Sequence, residues 1–105
     1  MMVFLKIKIT KYISNDFPGF IECSFTDAFN KQWKIIDKIP VLTTKNIDKN
    51  NNFPIEEKIE VEAEKESIDK NGNKLITINI NKPYGLKTIN GENRFEVNIN
   101  QIKKK

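Results

Sequence analysis

Four alternating glutamates form the densest charged segment of this sequence and are the first residues whose type and spacing could do chemistry: Glu60, Glu62, Glu64 and Glu66. Side chains repeat on one face of a β-strand at every second residue, so a strand here sets the carboxylates about 6.7 Å apart in a row. A straight row cannot converge its oxygens within the ~2.0–2.6 Å of one point that a calcium or magnesium ion requires. The pattern therefore predicts an acidic stripe that docks a basic protein partner. The alternative is a solvated strand face paired across the sheet with Lys6 and Lys8.

Other groups that usually perform catalysis are scarce. The chain contains no histidine and only one cysteine, Cys23, which excludes Ser-His and Cys-His nucleophile pairs, the usual zinc ligand sets and an internal disulfide. Asp27 and Asp37 bracket a predicted hairpin, where aspartate most often bonds backbone amides of the turn. Cys23 alternates with core residues, and burial there raises a thiol pKa. We therefore expect no enzyme, no cofactor and no metal site.

The charge of the chain allows a second function. The 105 residues carry a formal charge of +4, and Arg94 is the only arginine beside the many lysines. Arginine is the residue that reads guanine edges and stacks on bases, so its scarcity argues against sequence-specific recognition. A binder of single-stranded nucleic acid would instead combine lysines with an aromatic ring on the outer face of a barrel. The candidate residues for this alternative are Lys6, Lys8, Tyr12 and Arg94.

A period of two dominates the hydrophobic pattern and predicts an all-β protein. Six stretches alternate apolar with polar residues, and their inward residues are Leu5, Ile7 and Ile9; Ile21, Cys23 and Phe25; Trp33 and Ile35; Ile59, Val61 and Ala63; Ile76, Ile78 and Ile80; and Phe95, Val97 and Ile99. The turn sequences between them contain Asn, Asp, Gly and Pro, as hairpins require. Residues 42–55 lose the alternation and form the longest predicted connection, with a helical turn near residues 46–49.

Five or six short strands would leave exposed edges unless the sheet curls on itself. We therefore predict a small five- to six-stranded antiparallel barrel at residues 1–102, with an OB-like arrangement favoured and an SH3-like barrel or a small sandwich as alternatives. The lysines at 103–105 are predicted to form a solvated basic tail. The sequence shows no membrane span and no signal peptide, which leads us to expect a cytoplasmic protein.

Tyr84 lies in the segment Lys82-Pro83-Tyr84-Gly85, which is either a binding loop or a turn explained by its Pro and Gly. Together with Asp27-Ala28, Asp37-Lys38-Ile39-Pro40-Val41 and Phe95-Glu96-Val97, this segment resembles the layout of a group of small uncharacterised bacterial proteins of about this length. The resemblance spans most of the chain. It implies a freestanding bacterial β domain and assigns no functional residue.

These observations favour a non-catalytic protein-interaction module of a bacterial cell, such as an immunity or inhibitor protein that covers the active site of its partner. Its predicted contact residues are the acidic stripe and Tyr84. The alternatives are the OB-like nucleic-acid binder described above and a structural subunit that pairs through a strand edge. The expected partner is another protein, not a membrane, and the oligomeric state stays open.

Overall fold

A computed structural model describes all 105 residues of the chain. Its elements are β1 (Met2–Ser14), β2 (Phe20–Thr26), β3 (Gln32–Lys38), a short helix α1 (Ile39–Leu42), β4 (Ile55–Ile68), β5 (Lys74–Asn79), β6 (Arg94–Asn98), a 3-10 turn (Ile99–Gln101) and β7 (Ile102–Lys104). The predicted strands are all present, with boundaries that extend the alternating stretches by a few residues at most ends.

The strands form one antiparallel sheet in the order β3-β2-β1-β4-β5-β6, and β7 adds to β1. The sheet curls into a half-barrel, and two backbone hydrogen bonds connect its far sides: the N–H of Ala28 donates to the C=O of Glu96 at 2.8 Å, and the N–H of Ile89 donates to the C=O of Lys34 at 2.9 Å. The prediction of a small all-β, barrel-like domain is confirmed.

The core lies on the concave face of this sheet. The inward residues of each alternating stretch are almost all buried, because side chains of one parity share a face and the curl encloses that face. Trp33 is 6 % exposed and packs on Phe95, with ring centroids 4.7 Å apart. Cys23 is buried and pairs across the sheet with Ile9 and Ile35. Both residues thus occupy the core positions that the alternation predicts.

Two local predictions were wrong. The helical turn expected near residues 46–49 is instead α1, which begins at Ile39 and has a proline in its first turn, where the fixed φ of Pro40 suits a helix and its missing N–H costs nothing. The lysines at 103–105 are exposed but do not form a free tail, because Lys103 and Lys104 belong to β7 and lie opposite Phe4 and Val3 of β1. α1 has four residues, and no helix here is long and apolar enough to span a membrane.

Candidate functional site

The predicted acidic stripe is interrupted by a β-bulge. Ala63 lies opposite Ile78 and the next paired residue, Lys65, lies opposite Thr77, so Glu64 is the extra residue of the bulge. Beyond it Glu66 lies opposite the buried Ile76, whereas Glu62 lies opposite Asn79. Directly opposed residues share a face of the sheet, which places Glu66 on the face away from Glu62. The prediction of four glutamates on one face was therefore wrong.

The other three glutamates each contact a cation of this chain. Glu60 Oε2 lies 2.5 Å from Lys105 Nζ, Glu62 Oε1 lies 3.9 Å from Lys82 Nζ, and Glu64 Oε1 lies 3.1 Å from Arg94 Nε. Their charge is thus largely compensated within the molecule, and a basic partner would compete with these contacts.

The alternative prediction, that the glutamates pair across the sheet with Lys6 and Lys8, was also wrong. Glu60 and Glu62 lie opposite Phe4 and Met2 of β1. The strand register instead sets Lys6 opposite Lys58, and Lys8 opposite Glu56.

Tyr84 and Glu60 meet in one cleft, which we call the Tyr84 cleft. Its volume is about 280 Å³, and the residues that shape it include Phe4, Pro40, Val41, Lys58, Glu60 and Tyr84. The Tyr84 hydroxyl lies 3.5 Å from Glu60 Oε1, and the tyrosine is 51 % exposed. Lys58 Nζ lies 4.6 Å from the centroid of the Phe4 ring. The cleft therefore combines aromatic and aliphatic walls with charged groups at its margin.

Three separate parts of the chain position these walls. The β1–β4 register sets Phe4 directly opposite Glu60. Pro40 and Val41 belong to α1, which follows β3 without a loop. Tyr84 lies in the turn after β5, where the N–H of Gly85 donates to the C=O of Asn81 and Gly85 adopts a φ of 70°. That left-handed conformation favours glycine and turns the chain so that Tyr84 protrudes.

Glu57 also lines the cleft. Burial raises the pKa of its carboxyl, but hydrogen bonds from the Thr43 hydroxyl and the Lys58 N–H, together with the charge of Lys45, outweigh burial and lower it. Lys45 Nζ is 3.6 Å from Glu57 Oε2. These contacts attach the segment after α1 to β4, so the helical wall of the cleft is held against the sheet.

The aspartates near the third strand bond backbone groups. Asp27 is 8 % exposed, and its carboxylate accepts hydrogen bonds from the N–H groups of Phe29 and Lys31 and from Trp33 Nε1, the last at 2.8 Å. Asp37 accepts from the N–H of Lys38. No three acidic or thiol side chains converge as metal ligands would. Burial, followed by the charges of Glu57 and Glu22, raises the pKa of Cys23 to about 12.

The residues predicted for nucleic-acid binding do not come together. Lys6 and Lys8 line a groove beside β1. Tyr12 lines a separate cleft with Ser14 and Asp48, and Arg94 is bound to Glu64.

Phe17 is a surface residue that the sequence analysis missed. It is 97 % exposed in the turn between β1 and β2. This turn contacts α1, since the N–H of Ile39 donates to the C=O of Gly19 at 2.9 Å. Gly19 has a φ of 93°, a left-handed conformation that favours glycine, and a Cβ there would lie 2.8 Å from Ile39 Cδ1. A phenylalanine inside the polar turn sequence Asn15-Asp16-Phe17-Pro18-Gly19 was the available signal.

Comparisons with protein-family models, with curated proteins and with solved structures give no match for this chain.

Proposed function

We propose that this protein is a non-catalytic protein-interaction module that binds its partner through the Tyr84 cleft. The observation that carries the proposal is a half-exposed tyrosine beside a cleft with an aromatic wall, Phe4, and an aliphatic wall, Val41. Protein interfaces are centred on such residues, because tyrosine gives large contact area and a hydroxyl while few side-chain torsions must be fixed. The surrounding charges of Lys58 and Glu60 suit the polar rim of an interface.

Phe17 supports a second anchor for the same partner. A phenylalanine that is 97 % exposed gives the fold almost no buried area, whereas its transfer into a partner's pocket would contribute about 1.5–3 kcal/mol. Its turn is bonded to Ile39, the residue that precedes Pro40 of the cleft wall. The two anchors thus belong to connected segments, which suits a partner that contacts both.

An immunity or inhibitor protein is the specific form that we favour. Such a protein covers the active site of its partner and needs a preformed surface, because a surface that is ordered before binding loses less entropy on association. The Tyr84 cleft is built on paired strands and on α1, whose following residue, Thr43, donates a hydrogen bond to Glu57 of the sheet. The predicted glutamates contribute through Glu60 at the margin of the cleft.

The test is a pull-down of partners from a bacterial host lysate with the tagged full-length protein, after nuclease treatment. A stoichiometric protein should be retained, and its affinity should fall at least about tenfold with Tyr84→Ala, since truncation of an interface anchor costs more than ~1.4 kcal/mol. Phe17→Ser should also weaken binding.

Ile68→Ser is the matched control, because Ile68 is another exposed apolar residue, 68 % exposed, but lies at the end of β4. Its affinity should equal that of the wild type. Equal losses in all three variants, or no loss with Tyr84→Ala, would contradict binding through the cleft. Recovery of no protein partner would contradict the interaction module itself.

A further inference from the structure

The sheet is split beside β1. One edge of β1 pairs with β7 at residues 3–5 and with β2 from Lys8 onward, which leaves Lys6 and Ile7 between the two partners. A groove of about 770 Å³ lies along this split, between the end of β2 and the start of β7. The side chain of Gln101 crosses one end and donates to the C=O of Thr26 at 2.6 Å.

Lysines dominate the charge of this groove. Its lining includes Lys6, Lys8, Lys58 and Lys103. All are exposed, and none forms an ion pair within 4.0 Å, unlike the cations beside the acidic row. Two glutamates also line the groove. Glu57 is engaged by Thr43 and Lys45, whereas Glu56 lies opposite Lys8 without an ion pair within 4.0 Å. Four lysines against these two glutamates leave the groove with an excess of positive charge.

The strand register concentrates this charge. Lys6 lies directly opposite Lys58 in the β1–β4 pair, and like charges at directly opposed positions are unfavourable in a sheet. The ammonium of Lys6 donates to the C=O of Asn100 at 3.1 Å, which is a neutral acceptor. A bound anion between the strands would relieve this repulsion.

The aromatic residues near the groove are not available for stacking. Phe25 is 5 % exposed and packs in the core against Phe95. Phe4 is only partly exposed, and the ammonium of Lys58 covers its ring. A ligand of this groove is thus recognised through its charge and not through planar rings.

We propose that the groove binds the phosphodiester backbone of single-stranded nucleic acid. A polyanionic chain matches a line of unpaired lysines, and a narrow groove walled by β2 and β7 accepts one extended strand. The bases point away from the protein, so binding is independent of sequence. Lys58 borders both this groove and the Tyr84 cleft, but Tyr84 lines only the cleft, so Tyr84→Ala tests the first proposal without changing the groove.

The expected salt dependence follows from the number of lysines. Four phosphate contacts on a single strand give a slope of log K against log salt of about −2.8, because each contributes about −0.7. Affinity should then fall about 50-fold between ~50 and ~200 mM salt. Removing three of the lysines should reduce the slope to about −0.7 and the fall to about threefold.

The experiment measures fluorescence anisotropy of labelled oligothymidylate and oligouridylate with the full-length protein across this salt range. The groove variant is Lys6→Gln/Lys58→Gln/Lys103→Gln. The control is Lys70→Gln/Lys74→Gln/Lys87→Gln, which removes the same charge from exposed lysines elsewhere. Only the groove variant should lose the steep salt dependence, and Tyr84→Ala should bind as the wild type does. The two labelled probes distinguish DNA from RNA as the source of the phosphates.

Three binding results would overturn the proposal: equal losses in the groove variant and its control, tighter binding to duplex than to single strands, and displacement by polyglutamate as effective as that by unlabelled oligothymidylate at equal charge. The last result would identify an acidic protein as the ligand. A urea unfolding curve of Lys6→Gln alone tests whether Lys6 contributes to the stability of the fold. It should show unchanged or increased stability, because the substitution removes repulsion from Lys58 and keeps a donor group. A loss of stability would make the lysine structural and would contradict the proposal.

Discussion

Replacement of Asp27 tests whether this carboxylate is structural, as its contacts indicate. In Asp27→Ala the N–H of the Trp33 indole loses its acceptor in a buried site, which costs about 1–3 kcal/mol. The N–H groups of Phe29 and Lys31 lose their acceptor too, but they lie in a loop and recover bonds to water, at about 0.5–1 kcal/mol each. The free energy of unfolding should fall by about 2–5 kcal/mol, a large part of the ~5–15 kcal/mol typical of a small domain.

A double-mutant cycle isolates the indole bond. In Trp33→Phe no indole donor remains, so a further Asp27→Ala should cost about 1–3 kcal/mol less than it does in the wild type. Asp27→Asn keeps an acceptor oxygen and serves as the conservative control, with a smaller loss than alanine. Stability is measured by urea unfolding followed by far-UV circular dichroism, because Trp33 is the only tryptophan and its fluorescence is lost in the Trp33→Phe background.

Two outcomes would refute this reasoning about Asp27. An equal cost of Asp27→Ala in both backgrounds would show that the indole bond contributes nothing to stability. A total loss below about 1 kcal/mol would show that the carboxylate does not organise the β2–β3 hairpin. The consequence extends beyond the hairpin, since the next residue, Ala28, donates one of the two bonds that join the far sides of the half-barrel.

Two further predictions concern ionisable groups. Burial raises the pKa of Cys23 from 9.0 to about 12, so a thiol-specific disulfide reagent at about pH 8 should modify the native protein about a thousandfold more slowly than the urea-unfolded chain; equal rates would contradict burial of the thiol. The Thr43 and Lys58 hydrogen bonds and Lys45 lower the pKa of Glu57 below 4.5 against the effect of burial. Its contribution to stability is therefore complete above about pH 4.5 and is lost as pH falls through the lower folded value. The extra stability of the wild type over Thr43→Val, measured by urea unfolding between about pH 3 and pH 7, should shrink towards acid, and a constant difference would count against this role of the hydrogen bond.

Much of the fold was predictable because inward and outward residues alternate strictly. The two-residue period of the hydrophobic pattern alone assigned Ile9, Cys23 and Ile35 to the core. All three are fully buried on adjacent strands. A curled antiparallel sheet encloses one face of every strand, so a single parity of residues must be apolar. Long stretches of this kind specify both the strand and the face that it buries.

The bulge at Glu64 was harder to detect, because the glutamates continue their alternation while the strand register does not. Strict alternation after Ala63 would have directed Lys65 and Ser67 into the core, where an unpaired lysine is costly. Those two residues were the signal that the register changes. The short strand β7 gave even less signal, since Ile102 is its only apolar residue and its pairing with β1 depends on residues far away in sequence.

The Tyr84 cleft was predicted only in part. Tyr84 and Glu60 were both identified as contact residues, but for separate reasons, and nothing in their spacing indicated that they meet. Their meeting depends on the turn after β5, and the opposite wall depends on Pro40 and Val41, which the sequence analysis named only as part of a motif. Long-range contacts of this kind are set by packing of whole elements and leave no local pattern.

The composition of this protein does not show which lysines lie beside glutamates and which do not. The strand register distinguishes the two groups. Lys82 and Lys105 lie close to glutamates and compensate their charge, whereas Lys6 and Lys58 face each other across two strands. Like charges at opposed positions are unfavourable in a sheet, and a substitution to glutamine at either position would relieve the repulsion. The proposed anion in the groove would offset this repulsion. Glu60 and Glu62 lie on the same face of β4 as Lys58, so on that face glutamates compensate some lysines and a bound anion would compensate others.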